Sequence, residues 1–431
     1  MVRVIVGASP IAGHFAPMRA IAENLVQRGY PVTVLTGSQF RDPVERTGAR
    51  FVALPGLADY DLSRFAEMYV EAGAPSGPDE PNFAFRRLFL DPSADQHRAV
   101  QELLAEAGDE PVVVIAETGF GGPRMTRLGV PGREPAGLIG IGVTPLTLTS
   151  VDTAPYGTGL PPDSSPEGRE RNRVANRRRQ ETYYGNIQRY VERMWRALGA
   201  EGDLPFVMDS AVLQSDYFLQ LSIASVEYPR SDAPKSLRYI GTLPTHAGST
   251  VPLPPWWGEV AAARRVIAVT QGTAANRDFS ELIEPTLRAL AGVDALVVAT
   301  LGRPARLTGM PANARLAEFI PFDELLRHTD LLVTNGGYGG MQQALSHGVP
   351  MVLAGQSEDK REGTARVAWS GAAINLATQR PTEADIRAAV DAVLTEPRYR
   401  DRARELQAEY ARHDAFQEIA DTVDELAARS R

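Results

Sequence analysis

One rhythm constrains this chain more than any other feature, and it runs twice. Short apolar runs alternate with helical patterns, the sign of parallel sheets built from βαβ units. The alternation stops in a proline-crowded stretch and then restarts. In the first half Val2–Val6 reads as a buried strand, followed by a Gly/Pro-rich loop. Pro17 is placed in the first turn of a helix on which Met18, Ile21, Ala22, Leu25 and Val26 recur at helical spacing, and Gly29 closes it. Pro31–Thr36, Val112–Ala116 and Leu138–Val143 read as further strands. The segment 167–198 reads as one long helical stretch, polar at first and then amphipathic through Tyr184, Ile187, Val191, Met194, Trp195 and Leu198. Pro244, Pro252, Pro254 and Pro255 crowd beside Trp256 and Trp257 and mark a linker over 241–260. Beyond it, Arg265–Thr270, Ala295–Thr300, Asp330–Thr334 and Pro350–Leu353 are predicted strands, with helices over Ser280–Leu290 and Gly339–His347. The last stretch, from Pro397, is helical without a strand pattern. The predicted organisation is an α/β domain over 1–240, a second over 261–410, and a terminal helix over 411–431 that folds back on the first.

Composition enters where it excludes. At 431 residues the chain exceeds one ordinary core. A formal net charge of −8 argues against nucleic acid as a partner, since that binding rests on neutralising phosphates with a basic face. With no cysteine, disulfides, thiolate metal sites and cysteine nucleophiles fall away together. No run of about 18 apolar residues is present, so no membrane span is expected. Val2–Val6 leaves no room for a signal peptide, and the expected location is the cytoplasm. His14, His97, His246, His328, His347 and His413 lack paired ligand spacing. Asp59-Tyr60-Asp61 reads as a helix N-cap region, and no metal is expected. The arginines from Arg169 to Arg179 form either a phosphate patch or a solvated face interleaved with Glu170 and Glu181. The second reading is the ordinary one for mixed charge.

Two segments carry chemistry. Thr334-Asn335-Gly336-Gly337-Tyr338-Gly339-Gly340 lies directly after an apolar strand and before a helix. Glycines there let the backbone approach a ligand, and free N–H groups with the helix dipole favour an anion such as a diphosphate. A plain tight turn is the alternative, although it needs fewer glycines. The second segment, Gly13-His14-Phe15-Ala16-Pro17, follows the first strand, on the side where ligand crevices of parallel sheets open. An imidazole can take a proton near neutral pH.

With these residues in view, the chain resembles the family 1 glycosyltransferases of GT-B fold, which include plant flavonoid and bacterial macrolide glucosyltransferases. The resemblance covers nearly the whole chain. It is densest from Ala317 to Val367, in Glu318-Phe319-Ile320-Pro321, the Gly loop, Ala344-Leu345-Ser346-His347-Gly348-Val349-Pro350 and Glu358-Asp359-Lys360. It implies two Rossmann-like domains with parallel sheets facing an interdomain cleft. It also implies an inverting, metal-independent transfer of a hexose from a UDP- or dTDP-linked donor to a hydroxyl of a small, largely apolar natural product, phenolic or macrocyclic. The nucleotide-sugar is a co-substrate, and no cofactor is implied. By the same resemblance Phe319 stacks under the base and the Ile320 backbone pairs with its edge. Thr273, Asn335, Gly337, Gly339 and Gly340 meet the diphosphate. Gln343 stands at the ribose, and Asp359 with Lys360 grips the sugar. His14 is the base that deprotonates the acceptor, and Glu117, at the end of Val112–Ala116, is its carboxylate partner. A strand-end glutamate facing solvent is the plainer reading of Glu117.

Three positions depart from the family pattern. Asn335 replaces a histidine, Gln343 a glutamate that binds ribose hydroxyls, and Lys360 a glutamine. The acceptor is expected against Phe65, Phe83, Phe85 and Thr144, in a region that Tyr69 and Phe89 also make aromatic beside Met68, although the same residues could simply form core. Two competing readings share the architecture. A nucleotide-sugar epimerase would convert donor alone. A non-catalytic helper would keep the fold, but intact His14 and Asp359 argue against it. A dehydrogenase is disfavoured, because Gly7-Ala8-Ser9-Pro10-Ile11-Ala12-Gly13 lacks Gly-x-Gly-x-x-Gly.

Overall fold

The computed structural model describes residues 2–64, 67–68, 80–244, 251–272 and 276–429. Strands β1 (Arg3–Gly7), β2 (Val32–Thr36), β3 (Arg50–Ala53), β4 (Val112–Glu117), β5 (Gly137–Gly142), β6 (Tyr217–Gln220) and β7 (Leu237–Tyr239) form one parallel sheet. Its order is β3-β2-β1-β4-β5-β6-β7. Strands β8 (Val266–Thr270), β9 (Leu296–Thr300), β10 (Ala314–Ala317), β11 (Leu331–Thr334), β12 (Met351–Leu353) and β13 (Ala373–Asn375) form a second parallel sheet, in the order β10-β9-β8-β11-β12-β13. Helices cover both faces of such sheets, so central strands read as unbroken apolar runs. Val113, Val114, Ile115 and Ala116 of β4 are fully buried for that reason.

In each sheet the strand order reverses at one place, and a crevice opens there at the carboxyl ends. In the first sheet it lies between β1 and β4, where Gly7 pairs with Ala116. In the second it lies between β8 and β11, where Thr270 pairs with Thr334.

Three elements differ from their expected form. Helix α1 runs Ala12–Gln27, so it begins before Pro17 and carries that proline inside. The carbonyl that Pro17 leaves without its helical donor belongs to Gly13, one turn back. His14 therefore stands in the first turn of a helix and not in a loop. The stretch 167–198 is two helices, α2 (Pro166–Thr182) and α3 (Gly185–Ala197), with Tyr183 and Tyr184 between them. Arg169, Arg171 and Arg173 of α2 pair with Asp152, Asp163 and Glu170 at 2.8, 2.5 and 2.6 Å, which makes that run a solvated, paired face. Trp256 and Trp257, expected in a linker, pack on the core of the second domain.

Further along, α4 (Tyr338–Ser346) follows β11, and α5 (Lys360–Trp369) follows β12. Helix α6 (Pro397–Tyr410) completes the second domain. The chain then returns. Phe416, Ile419, Val423 and Leu426 of α7 (Ala415–Arg429) join a core with Val6, Ile21 and Ile139 of the first domain.

A buried polar network joins the two domains. Arg366 of α5 donates to Glu227 Oε2 at 2.5 Å and to the Leu146 carbonyl at 2.9 Å, and it lies 3.4 Å from Glu362 Oε2. The Tyr338 hydroxyl, at the start of α4, donates to Glu227 Oε1 at 2.9 Å and accepts from Gln220 Nε2 at 2.8 Å. Burying two charges is costly, and the direct pairing with its added hydrogen bonds repays part of that cost, while Arg366 Nε and Gln220 Oε1 stay buried without a partner.

Candidate active site

Glu117 ends β4 at the switch point, and its carboxylate is fully buried. It accepts four hydrogen bonds. The Ser9 N–H and hydroxyl reach Oε1 at 3.1 and 2.6 Å, and the Gly119 N–H and His14 Nδ1 reach Oε2 at 2.5 and 2.8 Å. Burial opposes its charge, but His14 and these donors outweigh burial and bring its pKa down to about 2. Burial likewise disfavours a charged His14, yet Glu117's charge and hydrogen bond, with Asp359 beyond, leave the imidazole above its ordinary value. Because Nδ1 is engaged, Nε2 is the ring nitrogen left for a substrate. The Phe89 ring lies 5.4 Å from the imidazole, centre to centre.

Behind the carboxylate, the buried Arg124 guanidinium donates to the carbonyls of Ala116, Glu117, Thr118 and Phe120 at 2.9–3.4 Å and braces the turn that presents Glu117. Ser9 was not expected at the site, and Arg124 was not expected as a brace for Glu117. A strand-to-helix serine gives a weak signal, and an arginine that pairs only with backbone leaves none.

In the second domain Gly336 has φ +83, and a Cβ there would run into Thr364 Cγ2. Gly337 precedes α4 with no side-chain cap. The N–H groups of the first helical turn, including Gly339 and Gly340, lack intrahelical partners, and both residues line a cavity. An added Cβ at Gly337 or Gly339 meets nothing within 4 Å, so the approach to these amides is open. Asn335 lies at the same wall but is nearly buried, and its amide nitrogen donates to the Gln271 carbonyl at 2.7 Å. That amide group therefore braces β11 against the loop after β8.

Phe319 is 44% exposed at the cavity mouth, and Ile320 beside it is buried. Among the described residues the Ile320 N–H and carbonyl have no partner. Gln343 and Asp359 also line the cavity. Lys360 is buried, and its ammonium is held by Glu358 and by Ser357 Oγ at 3.4 Å, so its charge is already matched. Glu358 takes φ 55, a left-handed conformation costly for a side-chain-bearing residue.

All of this faces one cavity of about 1680 Å³ between the domains, with His14 and Thr118 on one side and the Gly loop, Asp359 and Lys360 on the other. Thr144 and Phe85 line it. Phe83 does not, which corrects its expected place. Two residues along a helix point about 200° apart, so Phe83 and Phe85 cannot share a face, whereas Phe85 and Phe89 can, and Phe89 lines the wall. Phe65 and Thr273 lie outside the described residues. Asp59 and Asp61 cap turns: Asp59 accepts from the Ser38 N–H at 2.8 Å and Asp61 from the Ser63 N–H at 2.8 Å.

Residues 284–426 match the family described as erythromycin biosynthesis protein CIII-like, C-terminal domain. UDP-glycosyltransferase 2 of Phaeomoniella chlamydospora is 47% identical over 438 residues, covering 99% of this chain and 96% of that protein. The 4'-demethylrebeccamycin synthase of Lentzea aerocolonigenes is 40% identical over 427 residues, covering 98% and 99%. A solved structure of the glycotransferase of kitacinnamycin superposes with a TM-score of 0.71 at 22% identity and covers 98% of both chains. Two facing parallel-sheet domains with a cleft at both switch points define the GT-B architecture. The chain belongs to the family 1 glycosyltransferases of that fold, and it is a glycosyltransferase.

Proposed function

We propose that the chain transfers a hexose, with inversion and without a metal, from a UDP- or dTDP-linked donor to a hydroxyl of a small, largely apolar natural product, phenolic or macrocyclic. The observation that carries this reading is the placement of the His14–Glu117 pair and the uncapped start of α4 on opposite sides of one cavity. The acceptor sits in the aromatic half, near Phe85 and Phe89. His14 Nε2 removes its hydroxyl proton as the oxygen attacks the anomeric carbon from the face opposite the diphosphate. Glu117 fixes the Nδ1–H tautomer and stabilises the imidazolium that forms. Charge developing on the leaving diphosphate is met by the Gly337, Gly339 and Gly340 amides and the dipole of α4, the work a cation would otherwise do. Phe319 and the Ile320 backbone take the base, Gln343 the ribose, and Asp359 the sugar. Glycosyl transfer by a UDP-named relative at 47% identity supports the donor class. The cytoplasm is the proposed location; no described helix is long and apolar enough to cross a membrane.

The test is a thermal-shift panel of UDP, dTDP and GDP, followed by mass spectrometry with the matching sugar donor and a library of phenolic and macrocyclic acceptors. Ligand stabilisation follows RT ln(1 + [L]/Kd), so even a modest nucleotide preference is visible. A glycosylated product of opposite anomeric configuration, formed in the presence of chelator, is the expected result. Conversion of the donor to an epimer without acceptor, or activity abolished by chelation, would sink the proposal.

A further inference from the structure

The loop before α2 belongs to the first domain, yet it is fastened to the second. Glu362 Oε1, on α5, accepts the N–H of Gly157 at 2.7 Å and of Gly159 at 2.9 Å. Both glycines take positive φ, 89 and 65, which turns their two amides onto one oxygen. The other oxygen of Glu362 faces Arg366, itself gripped by Glu227. Between the loop and that network lies Tyr156, its ring 6.0 Å from the Arg366 guanidinium. Tyr156 lines the same cavity as Asp359 and Lys360, and among the described residues its hydroxyl has no hydrogen-bond partner. Burial, and then the Asp359 carboxylate, push its phenol well above the ordinary value, so the hydroxyl stays protonated and offers a donor where Asp359 offers only an acceptor.

We propose that Tyr156 is a specificity-determining residue for the donor sugar, reading one sugar hydroxyl together with Asp359, and that Glu362 positions it by holding the Gly157–Gly159 loop. This rests on the placement of the sugar beside Asp359 in the function proposed above. A hydroxyl donates to the carboxylate and accepts from the phenol, and it satisfies both. A deoxy carbon at that position satisfies neither, and two buried polar groups are left unpaired. A donor site assembled from both domains also reads the sugar only when the cleft is formed.

The experiment compares wild type with Tyr156→Phe on the parent hexosyl donor and its monodeoxy analogues, with calorimetry of the free nucleoside diphosphate alongside. Wild type is expected to reject one analogue much more than the others. Tyr156→Phe should lower kcat/KM for the parent donor by about 10-fold and erase most of that one rejection, with nucleoside diphosphate affinity unchanged. Glu362→Leu should do the same, whereas Glu362→Gln, which keeps an oxygen for both amides, should retain the rejection. Unaltered analogue ratios in Tyr156→Phe, or an equal loss of nucleoside diphosphate affinity, would overturn the assignment. If wild type transfers sugar from no donor, the underlying function falls, and this inference falls with it.

Discussion

His14 Nδ1 and Glu117 Oε2 lie 2.8 Å apart, although 103 residues separate them, because β1 and β4 are neighbours at the point where the sheet reverses. The carboxylate is held by three further donors, so it can turn only with the loss of several hydrogen bonds. A fixed acceptor of this kind leaves the imidazole one tautomer and one direction.

Replacing His14 by alanine is expected to reduce transfer by about 10²–10⁴-fold, the usual worth of a positioned base. Nucleoside diphosphate affinity, measured by calorimetry, should stay close to wild type, because the amides of the far domain are untouched.

The pair also sets the pH profile. The imidazole must be neutral to act, and its pKa lies above the ordinary 6.5, so the acid limb of kcat/KM should fall above pH 6.5. In Glu117→Gln the limb moves to lower pH and kcat drops. The linked stability has two signs. Glu117, down at about 2, stabilises the fold above its ordinary 4.5 and loses that contribution as pH falls toward 2. The raised imidazole contributes below 6.5 and loses its contribution as pH rises through its folded value. NMR titration of the His14 ring in both proteins checks the direction.

Two glycines of one loop should fail differently. Gly336→Ala places a Cβ against Thr364 at φ +83 and is expected to destabilise the second domain by roughly 1–3 kcal/mol, read as a lower melting temperature. Gly339→Val sets its Cβ where no atom lies within 4 Å and should fold, yet it covers the amides and should weaken nucleotide-sugar binding by about 10-fold or more. Parallel melting and binding curves separate the two.

Arg366→Ala leaves Glu227 buried without its partner and should cost about 3–5 kcal/mol, measured by urea denaturation. The double change Arg366→Met with Glu227→Gln is expected to recover only part of this, because position 227 no longer carries a bare charge while buried Glu362 still loses Arg366.

The strands were legible because burial on both faces demands unbroken apolar runs, and β4 is such a run. The Gly loop and His14 were legible because a glycine cluster and a histidine after strands are visible locally. The start of α1 was not. Its N-cap is Ile11, which offers no capping side chain, and Pro17 falsely suggested a first turn. Phe83 and Phe85 could be recognised as aromatic, but not in phase, and the π-helical turn at Arg86–Leu90 shifts the phase further. The Arg366–Glu227 pair spans 139 residues, and no local pattern announces a partner at that distance.

Because α7 packs among Val6, Ile21 and Ile139, the polypeptide passes from one lobe to the other twice, once before Trp256 and once near residues 411–414. Any chimera that exchanges the donor half with that of a relative therefore needs two junctions, with the terminal segment kept as part of the acceptor half. A single cut would graft a foreign helix into the native hydrophobic interior.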